Sequence, residues 1–282
     1  MREPLVSVCI PAYNNAGYIG ETIESVLSQT YHHLELIIVD DNSKDRTLEI
    51  LQEYAAKDSR VKVYHNEKNL GMTGNWNRCL QLCTGEYIKL ICADDMIDQN
   101  AIAMEAEAME KHAGVNLVES DTRLVDMSGK KTGAYKRYHK SGVVSGKKLA
   151  KTSLIWKDFF GAPLNNLIRK SALEEAGYFD AAFTYILDFD FWVRMACTGD
   201  VFIIHKLLNS FRVRKDSNTG MLIGKDRKTY VDEHRRLVEK HAGKLGLTRF
   251  QVGFSVWFRK MRNIAIGIYL KIVTRRTTGN GS

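Results

Sequence analysis

The first 92 residues constrain the fold most, because short β-branched-rich runs alternate in them with segments of helical spacing. The runs are Leu5–Ile10, stopped by Pro11, then Leu34–Val39, Val61–Tyr64 and Tyr87–Cys92. Between them lie Gly17–Thr30, with Tyr18, Ile19, Ile23, Val26 and Leu27 on one face, and Thr47–Ala56, with Leu48, Ile50, Leu51 and Tyr54. The polar loop Asn66–Gly74 and a helix over Asn75–Cys83 complete the series. Such alternation predicts a parallel sheet with right-handed crossovers.

In an open α/β sheet ligands meet the carboxyl ends of the strands, and here those ends are polar. Pro11-Ala12-Tyr13-Asn14-Asn15 follows the first strand and Asp40-Asp41-Asn42-Ser43 the second, while GEYIKLICADD (Gly85–Asp95) ends in Asp94 and Asp95. Asp41 suits an N–H of a nucleotide base and Tyr13 its ring face, although an Asx turn explains Asp41 alone equally well. Paired carboxylates suit a divalent metal and the phosphates it carries, with a solvated turn as the plain alternative. Three polar strand ends converging on one edge favour the ligand.

Beyond residue 100 the spacing predicts a helix over Ala101–His112, a strand over Val115–Val125, a turn at Met127–Lys131 and a lysine-rich stretch of low periodicity over Thr132–Gly142. Ser145 caps a helix running to about Asp158. Leu164–Arg169 reads as a strand, Ser171 as the cap of Ala172–Ala176, closed by Gly177, and Phe189–Cys197 as a helix entered through Asp188. Val201–His205 and Asn209–Val213 read as two late strands.

Composition narrows the classes. Five scattered cysteines, odd in number, argue against a disulfide framework and for a reducing compartment. The eight histidines supply no HExxH and the cysteines no CxxC, which disfavours zinc. The absence of GxGxxG after the first strand disfavours a dinucleotide fold, and PAYNNAGYIG lacks the lysine of a nucleotidyltransferase's triphosphate loop. The start reads as a first strand and not a signal peptide, and no run approaches the 18 or so apolar residues of a spanning helix.

Taken in order, VSVCIPAYNN, SVLSQTYHHLELIIVDDNSKDRT, NLGMTGNWN, GEYIKLICADD, EEAGYFD and LDFDFWVR resemble a family 2 inverting glycosyltransferase of GT-A fold. The resemblance covers roughly residues 5–215. It implies a Rossmann-like, mixed but mostly parallel α/β sheet flanked by helices, a nucleotide-sugar donor, usually a UDP-sugar, a divalent metal such as Mn²⁺ or Mg²⁺, and transfer to an acceptor hydroxyl with inversion. Position by position, Pro11, Ala12, Tyr13, Asn14, Asp40 and Asp41 match the nucleoside pocket. Asn69, Gly71 and Asn75 fall in the loop that approaches the donor, Asp94 and Asp95 match the end of the metal-binding acidic motif, and Asp188 matches the general base. Asp190 is the chemically competing base, Phe191 and Trp192 read as helix or pocket support, and Arg194 as the partner of a buried acid. Two positions depart from the family: Cys92 stands where the first acid of the usual D-x-D lies, and Arg214 where a histidine follows the late strand. Arg212 and Arg214 then become expected contacts of the diphosphate.

The basic charge is a property of the C-terminus. Lys240 to Ser282 carries nine Lys and Arg and no acid within a net charge of +8. Lys225–His241 places Tyr230, Val231, His234, Leu237, Val238 and His241 on one helical face. Phe250–Ile272 repeats the pattern with Phe250, Phe254, Trp257, Phe258, Met261, Ile264, Ala265, Ile268 and Ile272, beside Arg249, Arg259, Lys260, Arg262, Lys271, Arg275 and Arg276. A basic amphipathic helix with Trp and Phe suits an anionic membrane surface; docking on the core or on a second subunit as a homodimer suits the stripe equally. No RNA- or DNA-reading motif accompanies the charge, so nucleic acid is disfavoured. The expectation is a catalytic domain over 1–222 and a helical extension over 223–282. It would act in the cytoplasm, peripherally at the inner face of the cell membrane, on a glycan or lipid-linked acceptor in surface polysaccharide synthesis. A non-catalytic nucleotide-sugar binder of the same fold is the rival reading.

Overall fold

The computed structural model describes residues 2–214 and 227–278, with residues 227 and 264–278 as backbone alone. The 222/223 boundary expected from the sequence lies outside the described residues. The strands are β1 (Val6–Ala12), β2 (Leu34–Asp40), β3 (Val61–His65), β4 (Tyr87–Leu90), β5 (Met96–Ile97), β6 (Val115–Val125), β7 (Lys131–Tyr135), β8 (Gly142–Val144), β9 (Asn166–Arg169) and β10 (Asp200–Arg212). They form one sheet in the order β3-β2-β1-β4-β9-β6-β10-β5, with β7 on β6 and β8 on β10. Strands β3, β2, β1 and β4 run parallel, as do β6 and β10, whereas β9 lies antiparallel between β4 and β6.

Both faces of this sheet are covered, which is why β1 and β2 are buried along their whole length and read as continuous apolar runs. Alternation along β1 sends Val6, Val8 and Ile10 to one face, against Ile19, Ile23 and Val26 of α1 (Ile19–Leu27), and Cys9 to the other. Helix α4 (Ala101–Lys111) shares the first face. On the second face lie α3 (Gly71–Leu82), α5 (Gly146–Ile155), α6 (Lys170–Ala176) and α7 (Leu187–Ala196), and α2 (Thr47–Lys57) flanks the β2–β3 end. Lys89 of β4 is fully buried and pairs with Glu105 of α4 at 2.8 Å. Burial lowers the lysine's pKa and raises the glutamate's, and the pair holds only because each partner neutralises the other. Gly85 opens this segment because a Cβ there would lie 2.6 Å from the Leu5 carbonyl oxygen.

Several boundaries differ from the sequence expectation for physical reasons. Pro11 does not stop β1: it stays in register with Val39, while pairing with β4 has ended at Cys9 opposite Leu90. Its missing donor therefore falls where no ladder bond is required. Helix α3 starts at Gly71 and not at Asn75, because Asp41 accepts from the Leu70 and Gly71 amides and caps the helix across the chain. The lysine-rich stretch after residue 131 contains β7 and β8, strands too exposed to need apolar alternation. The two late strands are one, β10, with register shifts at Ile204/Leu207 and Leu207/Asn209 that break its periodicity. Ser145 does cap α5, accepting from the Lys148 amide, but α5 ends at Ile155. Ser171 caps nothing, since α6 begins at Lys170. Helix α7 begins at Leu187, so Asp188 lies in its first turn.

The last two helices are α8 (Arg227–Ala242) and α9 (Arg249–Thr278). Leu237 and Val238 of α8 are fully buried in the same core cluster as α5 and α7. Among the described residues no helix is long and apolar enough to cross a membrane.

Candidate active site

A cavity of about 410 Å³ opens at the carboxyl ends of β1, β2 and β4. Pro11, Ala12, Tyr13, Asn15, Asp41, Asn69, Gly71, Asn75, Cys92, Ala93 and Asp94 line it, with Met72 and Trp76. Its floor is a hydrogen-bond network centred on Asp41, which is 2% exposed. One Asp41 carboxylate oxygen accepts from Asn66 Nδ2 (2.7 Å) and the Leu70 amide (2.8 Å), and the other from the Gly71 amide (3.0 Å). These three bonds leave roughly one of the carboxylate's four acceptor positions to a ligand. Asn69 donates to the Asp41 carbonyl and Asn75 to the Val39 carbonyl, so the loop and the start of α3 are tied to the end of β2. Gly71 takes φ +73°, a turn that a side chain would strain.

Not every expected residue reaches this cavity. Asn14 turns away, taking the Lys44 amide on its side-chain oxygen, and Asn15 lines the wall in its place. Asp40 is buried beneath, accepting from the Ser43 amide and contacting His65 Nδ1 at 2.9 Å. Asp95 is 1% exposed and points inward to accept from the Arg212 amide at 2.9 Å. Burial, with the neighbouring Asp94 charge, pushes its carboxyl pKa well up. Arg212 is also buried: its guanidinium serves the carbonyls of Asp94, Asp126 and Met127 and the Glu21 carboxylate. It therefore clasps the end of β10 and does not open onto the cavity. Arg214 comes within 3.2 Å of Asp94 Oδ2.

These placements bear on the expected divalent cation. Hard cations of this kind want several oxygen ligands. Asp94 offers one at the cavity wall, already beside Arg214; Asp95 faces the interior. The Cys92 thiol is held protonated by burial and by the charges of Asp95, Asp94 and Asp188. Among the described residues no three His, Cys, Asp or Glu side chains gather to hold a metal. The donor set does not fit a protein-held Mn²⁺ or Mg²⁺.

Asp188 and Asp190, the two candidate bases, have opposite surroundings. Asp190 is fully buried, where burial would raise its pKa, but His241 Nε2 (2.8 Å), Arg194 Nε (2.8 Å) and Lys240 Nζ (2.9 Å) outweigh that and hold it far below the usual range. It is a fixed anion, and the reading of Arg194 as partner of a buried acid is met here. Asp188 is only partly buried and accepts from the Phe189 amide. Burial, reinforced by the Asp158 charge, raises its pKa from 3.8 to about 7. A carboxyl poised there passes readily between base and acid. Phe191 and Trp192 are core: Phe191 stacks on Phe179 at 4.1 Å.

Sequence reasoning missed the residues that hold α7 in place. Glu233 of α8 accepts from the amides of Thr184, Tyr185 and Ile186, so an acid from the C-terminal extension ties down the segment that leads into the helix bearing Asp188. Lys240 adds an ion pair and His241 a hydrogen bond to Asp190, and Arg259 of α9 lies over Phe189. No local pattern around Glu233 announces this role. Asn15, Asn66 and Trp76, by contrast, sat inside motifs or loops already singled out.

A parallel-sheet edge with a cavity of about 410 Å³ and a carboxyl raised toward neutrality suits a nucleotide-dependent transferase. Residues 7–177 match the model of Glycosyl transferase family 2, and the chain belongs to that family. It is 27% identical over 248 residues to an uncharacterised glycosyltransferase of Haemophilus influenzae, covering 86% of this chain and 76% of that one. It is 29% identical over 252 residues to an Escherichia coli chondroitin synthase, covering 89% of this chain but only 34% of that protein. The structure of S. aureus TarS 1–349 in complex with UDP-GlcNAc shares the fold at a TM-score of 0.68 and 20% identity, covering 84% of this chain and 66% of that one.

Proposed function

We propose that the chain is an inverting glycosyltransferase that moves a sugar from a UDP-sugar to a hydroxyl of a glycan or lipid-linked acceptor in surface polysaccharide synthesis. One observation carries this reading: a cavity of about 410 Å³ at the carboxyl ends of the parallel strands is lined by Tyr13, Asp41 and Asp94. The base packs on Tyr13 beside Pro11 and Ala12 and gives an N–H to Asp41. The diphosphate lies toward Asp94 and Arg214. Asp188 takes the proton of the acceptor hydroxyl as its oxygen bonds to the anomeric carbon. The bond from that carbon to the diphosphate oxygen breaks, and UDP leaves with the electron pair. A single base on the face opposite the leaving group gives inversion. Since the donor set among the described residues does not fit a divalent cation, no step above runs through one. The poised Asp188 favours turnover over a role in binding alone. UDP release from a panel of UDP-sugars should fall steeply in Asp188→Asn; undiminished release would sink the assignment of the base.

We assign the outer face of α9 to an anionic membrane surface at the cytoplasmic side. Trp156, Phe250, Trp257 and Met261 are exposed there, Trp156 meets Phe254 and Phe258 edge-on at 5.1 and 5.8 Å, and Arg249, Lys260 and Arg262 are exposed on the same helix. Arg259 instead turns inward to Tyr230. Rings beside bases suit the headgroup boundary, where each base adds about 1 kcal/mol. Co-sedimentation with anionic but not zwitterionic vesicles, reduced in Trp257→Ser, is the expected result; equal binding by both proteins refutes it.

A further inference from the structure

We propose that the Arg214 guanidinium neutralises the donor diphosphate in the place a divalent cation would take, so that donor binding needs no metal. The proposal rests on the nucleotide-sugar reading of the cavity. Two acids line that cavity. The Asp41 carboxylate is taken up by three donors of the chain's own loop, which leaves Asp94 as the acid a cation would use. Arg214 already lies 3.2 Å from it. Neither neighbour completes a cation site: position 92 offers a thiol, and the Asp95 side chain is turned to the Arg212 amide beneath the wall.

Arg214 is built into this place. Its guanidinium carbon lies 4.8 Å from the centroid of the Tyr18 ring, and its side chain is 13% exposed. Arg212 also packs on Tyr18, at 5.1 Å, but its donors hold carbonyls and Glu21 and fix the end of β10. Arg212 thus anchors the strand end, and Arg214 lies against Asp94 of the cavity wall. A guanidinium offers two parallel N–H groups to a phosphate, a match no single ammonium makes. As the anomeric carbon–oxygen bond breaks, charge grows on the diphosphate, and a fixed cation beside it lowers the barrier.

The test is calorimetric titration of UDP into the full chain, with Mn²⁺ or with EDTA, for wild type, Arg214→Ala and Arg214→His, each checked for an unchanged fold by circular dichroism. Wild type should bind equally well in both conditions, within about twofold. Arg214→Ala should lose at least about tenfold in affinity in EDTA, the scale of one charge-assisted phosphate contact. Arg214→His, which puts a ligating imidazole beside Asp94, should bind weakly in EDTA and recover when Mn²⁺ is added. Wild-type binding that needs Mn²⁺ by tenfold or more, or an Arg214→Ala protein that binds as wild type, overturns the proposal. No UDP binding under either condition overturns the nucleotide reading of the cavity itself.

Discussion

The nucleoside end of the cavity and the catalytic end, as proposed above, are assembled from different distances along the chain. At the first, Asp41 gathers Asn66, Leu70 and Gly71 from 25 to 30 residues away, all within one βαβ succession. At the second, Asp188 rides on α7, whose lead-in segment Thr184–Ile186 is held by Glu233 from 47 to 49 residues further on and whose Asp190 is held by His241, 51 residues on. The first end is backbone fixed by one carboxylate. The second is a helix clamped by an appendage, which lets one carboxyl stay permanently charged while its neighbour two residues away sits near neutrality.

If the two ends are separable, variants should act on one and spare the other. The largest effect belongs to Asp188→Asn, which should cost about 10²- to 10⁴-fold in kcat, the usual worth of a positioned base, with UDP affinity unchanged. Next comes Asp41→Ala, which orphans three donors of the loop. It should weaken UDP binding by about tenfold or more and cost about 2–3 kcal/mol in denaturant unfolding. Glu233→Gln keeps the shape but weakens the tie to the segment that leads into α7. A loss of about 1–2 kcal/mol and a several-fold fall in kcat with unchanged UDP affinity are expected; a change in UDP affinity instead would mean that the ends are not separable.

The smallest effect concerns stability against pH. The folded protein holds the Asp188 proton up to about pH 7, whereas the ordinary carboxyl value is 3.8. Between those values the unfolded chain has lost a proton that the native state retains, so this group makes stability fall as pH rises, and the penalty is complete above 7. Asp188→Asn removes it. The variant should melt a few degrees above wild type at pH 8 and level with it near pH 4.

The same contrast explains what the sequence allowed one to read. The nucleoside end was legible because each contact sits at the end of a strand whose apolar run announces it: Tyr13, Asp41 and Asp94 all follow such runs. Even there, the start of α3 was misplaced by four residues, because its cap comes from Asp41 across the chain and leaves no mark near Asn75. At the catalytic end only the resemblance separated Asp188 from Asp190. The physical difference between them lies in Arg194, Lys240 and His241, two of which belong to α8. The amphipathic stripe of that helix revealed that it would bury a face, and Leu237 and Val238 do so, but a helical stripe cannot say against what. Asp40 and Asp95 lie next to cavity residues in sequence yet face the interior: alternate residues at the end of β2 point to opposite sides, and Asp95 follows Asp94 in a turn closed by its amide on the Cys92 carbonyl.

The central claim is that a carboxyl held near neutrality by its fold acts as the base of the proposed sugar transfer. The rate of UDP release under saturating donor and acceptor, followed from pH 5 to 9 for wild type and Asp188→Asn, tests it most directly. Wild-type rate should climb with a single midpoint near 7 and then level, and the residual rate of the variant should lack that limb. A wild-type profile flat through neutrality, or the same midpoint retained in Asp188→Asn, would contradict the account.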